Sequence, residues 1–358
     1  MRRLTEFGCH LVTSRYELND VLKYGVLLDR LGYDHLKVGD HTLIPNSEAP
    51  YPNAHAVLTA LGVMTKRIRL STAVTDPLRR HPVEIAQWVA TQDQLTRGRA
   101  AIGIGAGEVM NLAPFGIEYQ KPFTRLKEAV EVMKLLWAAT PSRPSNYDGE
   151  IFRLRDAYLQ VRPVQKPHPP VYIGAISPKT RALAGEIASG WVPMAMESPS
   201  TLKEHLEDVE RGTKRVGRRL RDIEVAITVY TDVSNDTEAA YRSVEGVARS
   251  MLVWEREILK KRAGIEIPEE LSVQKMSGND KSVSKRIDEF AASIPRRLVE
   301  EATAFGTVDQ CIEKFEQYLD AGATSIIICN LGKNQDLVFR KYSKEIIPYL
   351  KRRYGRGK

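Results

Sequence analysis

The sequence contains little cysteine and no long apolar run. Its three cysteines, Cys9, Cys311 and Cys329, are widely spaced along 358 residues, which excludes a disulfide framework and a cysteine-based metal cluster. No apolar stretch reaches the roughly 20 residues of a membrane-spanning helix, and the N-terminal residues lack the hydrophobic segment of a signal peptide. We therefore expect a cytoplasmic protein with reduced thiols and no membrane partner.

Spacings typical of metal sites and phosphate loops are also missing. The seven histidines are scattered, and no glycine-rich run ends in Lys-Ser or Lys-Thr, so neither a metal site nor a nucleotide P-loop is predicted. The net charge is +8, but the basic clusters have no interleaved aromatic residues that would stack on bases. We interpret the charge as solvated surface, or else as attraction for an anionic cofactor or substrate, and expect no nucleic-acid partner.

Short apolar strands alternate with amphipathic helices along the chain. The strands are continuously apolar, which is typical of parallel strands buried on both faces. Eight strand-plus-helix units predict a (β/α)₈ TIM barrel with insertions, a fold of about 250 residues. The predicted strands are residues 7–12, 35–38, 68–74, 100–104, 171–173, 191–193, 223–233 and 325–329.

The remaining residues, about 100, are assigned to insertions in this barrel. The insertions are 43–52, 109–124, 141–170 and 237–303. A short hairpin is predicted within the third, with strands at 151–154 and 158–161, and the fourth is helical and charged. No linker rich in proline, glycine or serine divides the chain. Residues 1–358 are therefore predicted to form a single barrel domain with a helical insertion at about 237–303.

Ionisable residues stand where several predicted strands end. Asp40 and His41 follow the second strand, and Glu108 follows the glycine-rich end of the fourth, residues 103–107. A TIM barrel carries its chemistry at the C-terminal ends of its strands, and carboxylates with an imidazole suit acid–base work. A Rossmann motif is rejected, because Glu108 stands where the third glycine of that fingerprint belongs. A glycine-rich loop with an exposed Glu is the alternative interpretation.

Two further segments at the same edge are candidates for ligand contact. Residues 174–178 open a helix with Ser177 as N-cap and Pro178 at the first position. Amides at such a start would suit a phosphate group, and an ordinary helix cap is the alternative. His10, at the end of the first strand, is a candidate for substrate contact, with a buried structural histidine as the alternative.

Together these motifs resemble the luciferase-like superfamily of flavin and deazaflavin enzymes. The resemblance covers nearly the whole chain, and residues 237–303 are its weakest part. The Asp-His pair and the Gly-x-Gly-x-Gly-Glu run most resemble the branch that uses coenzyme F420, which includes methylene-tetrahydromethanopterin reductases and alcohol and sugar-6-phosphate dehydrogenases. The segments that carry the resemblance are Gly39-Asp40-His41, 71–77, His81-Pro82, 103–108, 172–174, 188–191 and 305–307.

This resemblance implies an F420-dependent oxidoreductase that transfers a hydride between the deazaflavin and a small organic substrate of the alcohol/ketone or methylene-pterin type. An FMN-dependent luciferase-like monooxygenase is the alternative, and a non-catalytic barrel that binds a flavin-like ligand is an alternative of another class. A homodimer is implied by resemblance only. No Trp follows the Asp-His pair, and no Lys ends the sixth strand, so a phosphorylated sugar fits less well than an apolar or pterin-like substrate.

The resemblance also implies roles for single residues. Asp40 would hold the polar edge of the deazaflavin, His41 would position or polarise the substrate, and Glu108 would be the general acid or base. A cis peptide bond between Ala73 and Val74 would form a bulge that supports the ring. The other cofactor contacts would be Thr75, Ala106, Gly107, Asn111 and the amides of Gly174, Ala175 and Ile176. Arg296, in the long insertion, is a candidate to bind an anionic part of the substrate.

Overall fold

Parallel strands form the centre of the protein, whose computed structural model describes residues 5–44 and 49–355. The strands are β1 Glu6–Leu11, β2 His35–Val38, β3 Arg69–Thr72, β4 Ile102–Gly105, β5 Ser145–Asp148, β6 Arg153–Ala157, β7 Val171–Gly174, β8 Gly190–Val192, β9 Glu224–Val233, β10 Ala304–Gly306 and β11 Ser325–Asn330. The main sheet runs β3-β2-β1-β11-β9-β8-β7-β4, and every pairing in it is parallel.

The sheet closes on itself between its two end strands. Parallel bridges join Leu70 to Ala100 and Thr75 to Ile104, and these bring β3 beside β4. With this closure the eight strands form a barrel, and the prediction of a TIM-barrel fold is confirmed. All C-terminal strand ends lie at one edge, where such a barrel places its chemistry.

Helices follow the strands and cover the barrel. They are α1 Leu18–Leu31, α2 Ala54–Met64, α3 Pro82–Thr96, α4 Pro122–Ala138, α5 Pro178–Ile187, α6 Pro199–Arg215, α7 Thr237–Leu252, α8 Arg256–Ala263, α9 Lys281–Ser293, α10 Arg296–Ala302, α11 Val308–Asp320, α12 Gln335–Lys341 and α13 Ile347–Tyr354. Both α5 and α6 begin with a capping box, in which Ser177 and Ser198 accept from the amide three residues on. Among the described residues, none of the helices combines the length and apolar character that a membrane crossing requires.

The main core lies between the strands and the helices around them. Leu28 of α1, Val89 of α3 and Met133 of α4 are fully buried in one apolar cluster with Phe7 and Ile104 of the strands. Burying one such side chain contributes about 1.5–3 kcal/mol relative to leaving it in water. The apolar strand pattern in the sequence is therefore the main reason that the barrel forms.

Two details of the sequence-based prediction need correction. The hairpin lies earlier than predicted, in β5 and β6, because the apolar residues Ile151 and Phe152 lie in its turn and not in a strand. There the Glu128 carboxylate accepts hydrogen bonds from three consecutive backbone amides. These N–H groups lie in the turn, outside the hairpin's own hydrogen-bond ladder, and the carboxylate supplies their acceptor. The three-residue strand β10 was also missed; it pairs with β9 at the end of the long insertion.

The insertion 237–303 is helical, as its sequence indicates, and contains no strand among its residues. Its helices build a second apolar cluster, in which Val244 and Leu298 pack with Met110, Met196 and Leu331 from loops that follow barrel strands. The insertion therefore packs over the C-terminal edge of the barrel. The single-domain division stays a prediction, and residues 45–48 of the first predicted insertion lie outside the described residues.

Helices α5 and α6 pack backbone to backbone through two glycines. A Cβ on Gly212 would lie 1.9 Å from the carbonyl oxygen of Ala182, and one on Gly185 would lie 2.1 Å from that of Val209. Real Cβ contacts are never this short, so any side chain at either position must push the helices apart. The helix pair therefore depends on glycine at both sites.

We expect Gly212→Ala to lower the free energy of unfolding by about 1–3 kcal/mol, because overpacking outweighs the better helix propensity of Ala. Gly246→Ala is the matched control, since nothing lies within 4 Å of a Cβ at this α7 position. The control should raise stability by about 1 kcal/mol. Urea denaturation measures both, and a stabilising Gly212→Ala would contradict the close packing.

Candidate active site

Asp40 is buried just beyond the end of β2 and forms the centre of an ion-pair network. Its side chain is 2% exposed. Thr75 Oγ1 donates to the carboxylate at 2.7 Å, Arg80 Nη1 at 2.7 Å and Arg79 Nη2 at 3.1 Å. Arg79 also donates to the Asp40 backbone carbonyl at 2.6 Å and to the Asp76 carboxylate at 2.6 Å. The network ties the loop after β2 to the loop after β3.

Burial raises the pKa of Asp40. The charges of Arg79 and Arg80 and the Thr75 hydrogen bond lower it by more than burial raises it, so the pKa lies below its usual value. Asp40 is therefore a buried carboxylate. Sequence reasoning missed both arginines, although they stand as a consecutive pair directly before His81-Pro82. A consecutive basic pair one loop away from a predicted buried Asp is the signal that would have found them.

His41, Asn111 and Glu108 form a second cluster beside this network. Asn111 Nδ2 lies 3.0 Å from His41 Nδ1 and 3.2 Å from Glu108 Oε2, and the two outer groups are 3.5 Å apart. The His41 and Glu108 side chains are 26% and 32% exposed, whereas Asn111 is buried. An imidazole and a carboxylate are thus brought together at an accessible position, with the amide between them.

The loop after β4 folds so that Glu108 and Asn111 face the same side. Residues Val109–Asn111 form one turn of 3₁₀ helix, and the backbone N–H of Asn111 donates to the backbone carbonyl of Glu108 at 3.0 Å. Three residues per turn place such a pair in line. Gly107 precedes them with φ +82°, a left-handed conformation that favours glycine.

The long insertion supports this loop directly. The Val109 amide donates to the Val273 carbonyl at 2.9 Å. Gly278 approaches the Met110 carbonyl so closely that a Cβ there would lie 2.6 Å from its oxygen. Residues 273–278 therefore brace the loop that carries Glu108, and no motif in the sequence predicted this contact.

Tyr51 and His10 line the same region. The Tyr51 ring meets the His41 ring edge-on at 5.3 Å, and a Cβ on Gly39 would lie 2.3 Å from the Tyr51 hydroxyl and 3.5 Å from His10 Nε2. His10 Nε2 is buried without a hydrogen-bond partner among the described residues. Burial, with the nearby charge of Lys37, lowers the pKa of His10 to about 4, so His10 is neutral near pH 7. Glycine at position 39 makes room for these rings.

Val74 fills the space that three glycines leave open. The Ala73–Val74 peptide bond is cis, as the resemblance implied. A Cβ would lie 3.1 Å from a Val74 methyl group if built on Gly103, 2.9 Å on Gly105 and 3.0 Å on Gly174. The glycines of the fourth and fifth barrel strands therefore accommodate the half-buried Val74, and Thr75 continues from it into the Asp40 network.

Comparison with known proteins decides the family. The model of the family described as luciferase-like monooxygenase matches residues 3–325. The chain belongs to the luciferase-like monooxygenase family.

Two enzymes are similar in sequence to this luciferase-like protein over nearly its whole length. It is 28% identical to an F420-dependent glucose-6-phosphate dehydrogenase of Microbacterium testaceum, with 98% of each chain covered. It is also 28% identical to a 5,10-methylenetetrahydromethanopterin reductase of Archaeoglobus fulgidus, with 97% of this chain and 100% of the relative covered. A solved F420-dependent secondary alcohol dehydrogenase in complex with an F420-acetone adduct superimposes with a TM-score of 0.82 at 25% identity, covering 96% of this chain and 98% of that one.

The predicted phosphate loop of this luciferase-like barrel follows β7. The Ala175 amide donates to the Val192 carbonyl at 3.3 Å, so it is already engaged within the fold. The Ser177 hydroxyl accepts from the Thr180 amide at 3.2 Å, and Ile176 is 40% exposed. Residues 174–176 thus lie together at the correct edge of the barrel, and their binding of a phosphate stays a prediction.

Arg296 does not join the clusters described above. Its guanidinium binds Glu238 through two hydrogen bonds of 2.6 and 3.0 Å and Glu300 through one of 2.7 Å. It also covers the Tyr241 ring at 4.0 Å. These partners belong to α7 and α10, so the contacts of Arg296 stabilise the insertion, and its role with substrate stays a prediction.

Charged residues also meet at the opposite end of the barrel. Glu6, His35 and Glu224 bring their donor atoms within 4.8 Å of one another, a spacing that would suit a metal ion. However, Arg69 Nη1 lies 3.3 Å from both Glu6 Oε2 and His35 Nε2. A guanidinium therefore already supplies the positive charge at this site. Residues at this N-terminal face of a TIM barrel usually stabilise the fold and do not take part in chemistry.

Replacing Asp40 with Asn would leave Arg79 and Arg80 facing a neutral amide. We expect Asp40→Asn to lower the free energy of unfolding by about 3 kcal/mol, the lower end for a broken buried ion pair, because Arg79 keeps Asp76. Asp148→Asn is the matched control, since that carboxylate pairs with arginines while 69% exposed. The control should change stability by less than about 0.5 kcal/mol. Denaturant titration measures the free energy of unfolding of both variants. Equally small losses in the two would show that the Asp40 ion pairs do not stabilise the fold.

Proposed function

We propose that this luciferase-like protein is a coenzyme F420-dependent oxidoreductase that transfers a hydride between the deazaflavin and a small organic substrate. The proposal is supported by the named relatives and by one observation above all, the accessible cluster of His41 and Glu108 at the C-terminal edge of the barrel. A carbonyl or imine that gains a hydride develops negative charge and takes up a proton. An imidazole that donates a hydrogen bond and a carboxyl group beside it match these two needs, and His41 Nδ1 and Glu108 Oε2 are 3.5 Å apart.

The residues at the barrel mouth fit the coenzyme. His10 Nε2 is a buried polar atom that lacks a partner among the described residues, and the Val74 bulge offers an apolar support at the same edge. Residues 73–75 would support the deazaflavin, which supplies or accepts the hydride when bound. Ala106, Gly107 and Asn111 would border it, and the segment 174–176 would receive its phosphate.

Asp40 enters this proposal as a charged support. Since its carboxylate is already bound by Thr75, Arg79 and Arg80, it would act on the coenzyme mainly by holding these groups in place. Arg79 is also near Thr42, to which it donates at 3.0 Å, directly after His41. The network would therefore orient the His41 loop as well as any polar edge of the coenzyme.

The proposed substrate is an alcohol or ketone, or a methylene-pterin. The residues after β8, Met194 to Met196, are apolar or small and offer no cation for a sugar phosphate. His10, neutral and with its Nε2 atom buried near His41, would contact such a substrate without adding charge. An apolar or pterin-like molecule therefore suits this site better than a phosphorylated sugar.

A cytoplasmic, homodimeric protein is part of the same proposal. The three cysteines are free and buried, which suits a reducing compartment. Val63 and Met64 at the end of α2 and Leu95 in the adjacent α3 are exposed apolar side chains, and they offer a surface on which a second copy would pack.

Fluorescence titration with oxidised F420 and, in parallel, with FMN tests the cofactor. We expect saturable binding of F420 at micromolar concentrations and much weaker binding of FMN. Tight binding of FMN alone would overturn the proposal in favour of a luciferase-like monooxygenase. Binding of F420 without turnover of any alcohol, ketone or methylene-pterin would favour a non-catalytic barrel.

Replacing Glu108 with Gln tests the proton donor. We expect Glu108→Gln to lower kcat by about 10²–10⁴-fold, the usual contribution of a general acid or base, while F420 affinity is retained. Glu118→Gln, an exposed change in the same loop, is the control and should leave kcat unchanged. Turnover is followed by F420 absorbance with the substrate found in the screen. Full activity of Glu108→Gln would exclude Glu108 as the proton carrier.

A further inference from the structure

The amide of Asn111 has a determined orientation. Its Oδ1 accepts from the Thr42 amide at 2.7 Å and from the Leu43 amide at 3.1 Å. Backbone N–H groups only donate, so the oxygen of the side chain must face them. The NH₂ group therefore faces His41 and Glu108, and all of its hydrogen-bonding capacity is used.

This orientation determines the protonation of His41. An NH₂ group has no acceptor, so His41 Nδ1, 3.0 Å from Asn111 Nδ2, must accept from it. Glu108 Oε2 is 3.5 Å from the same nitrogen, beyond a normal N–H···O hydrogen bond, so it does not supply the acceptor that an Nδ1 proton would need. A neutral imidazole then carries its proton on Nε2.

We infer that Asn111 is a positioning residue that holds His41 as the neutral Nε2–H tautomer, so that His41 only donates a hydrogen bond and Glu108 alone carries the proton. When a carbonyl carbon accepts the hydride, the C=O π pair moves to oxygen. The proton of the Glu108 carboxylic acid then passes to that oxygen and leaves a carboxylate, and His41 keeps its proton throughout. The catalytic half of this inference rests on the proposed function; the tautomer does not.

The carboxylate left on Glu108 also has a defined partner. Asn111 Nδ2 donates to Glu108 Oε2 at 3.2 Å, so the carboxylate keeps a hydrogen-bond donor after its proton has left. The same amide thus holds both members of the pair, one as a fixed donor and the other as the group that changes charge. Since the loop after β2 provides both N–H donors and the loop after β4 provides Asn111, the device exists only in the folded barrel.

Nitrogen-15 NMR of the histidine-labelled full-length protein tests the tautomer without coenzyme or substrate. His41 is assigned with His41→Gln, and spectra are taken at about pH 8, above the usual histidine titration. We expect unprotonated Nδ1 and protonated Nε2 in the wild type. In Asn111→Asp an acceptor faces Nδ1, and the Nε2–H to Nδ1–H ratio should fall by about tenfold or more, equivalent to about 1.4 kcal/mol.

Two further variants make the test decisive. Asn111→Asp combined with Glu108→Gln removes the new carboxylate pair and keeps the protein folded if repulsion destabilises the single variant. Asn146→Asp, an exposed change in the hairpin, is the matched control and should leave the His41 signals unchanged. A protonated Nδ1 in the wild type, or an unchanged tautomer ratio in both Asn111→Asp variants, would overturn the inference. Failure to bind F420 would refute the proposed function and leave the tautomer result standing.

Discussion

Closure of the barrel between β3 and β4 is the constraint on which the site depends. The strands there are joined by the backbone bridges at Leu70 and Thr75 and by the Thr72 hydroxyl, which donates to the Gly103 carbonyl and accepts from the Gly103 amide. Between the two bridges the chain bulges at residues 73–74. The bulge is accommodated because Gly103, Gly105 and Gly174 have no Cβ beside Val74. Thr75, immediately after it, returns to the sheet and donates to Asp40. The closure between β3 and β4 therefore also shapes the site through the bulge at residues 73–74, and it orients the buried Asp40 carboxylate through Thr75.

Two kinds of polar arrangement serve different purposes at the mouth. Asp40 with Arg79 and Arg80 is buried and fully engaged, so it ties two loops together and keeps a constant charge. His41 and Glu108 lie 3.5 Å apart and both contact the Asn111 side chain, and they are partly exposed, so they remain accessible to a substrate. A rigid ion-pair network that supports accessible reactive groups is the arrangement that preorganised catalysis requires. The helical insertion completes it by bracing the Glu108 loop through Val273 and Gly278.

Much of the fold and part of the site were predictable from sequence. The eight barrel strands followed from continuous apolar runs, because burial on both faces leaves no alternation to misread. The hairpin was misplaced because Ile151 and Phe152 are apolar yet lie in a turn, where the distant Glu128 accepts their amide hydrogen bonds. The position of Asp40, His41 and Glu108 at the barrel edge was predicted from their place after strands, and their roles stay a prediction. Arg79, Arg80 and Tyr51 were not predicted, since loop paths decide where their side chains meet.

The sequence by itself determined the barrel, the edge at which its polar residues gather, and the family, because apolar periodicity and strand-end motifs are local properties of the chain. Only the tertiary structure decided how those residues pair. The two amides after His41, at Thr42 and Leu43, orient an Asn that stands about 70 residues further along, and that Asn in turn orients His41. Such hydrogen bonds depend on directions and distances across the closed barrel mouth, which residue spacing along the chain does not specify.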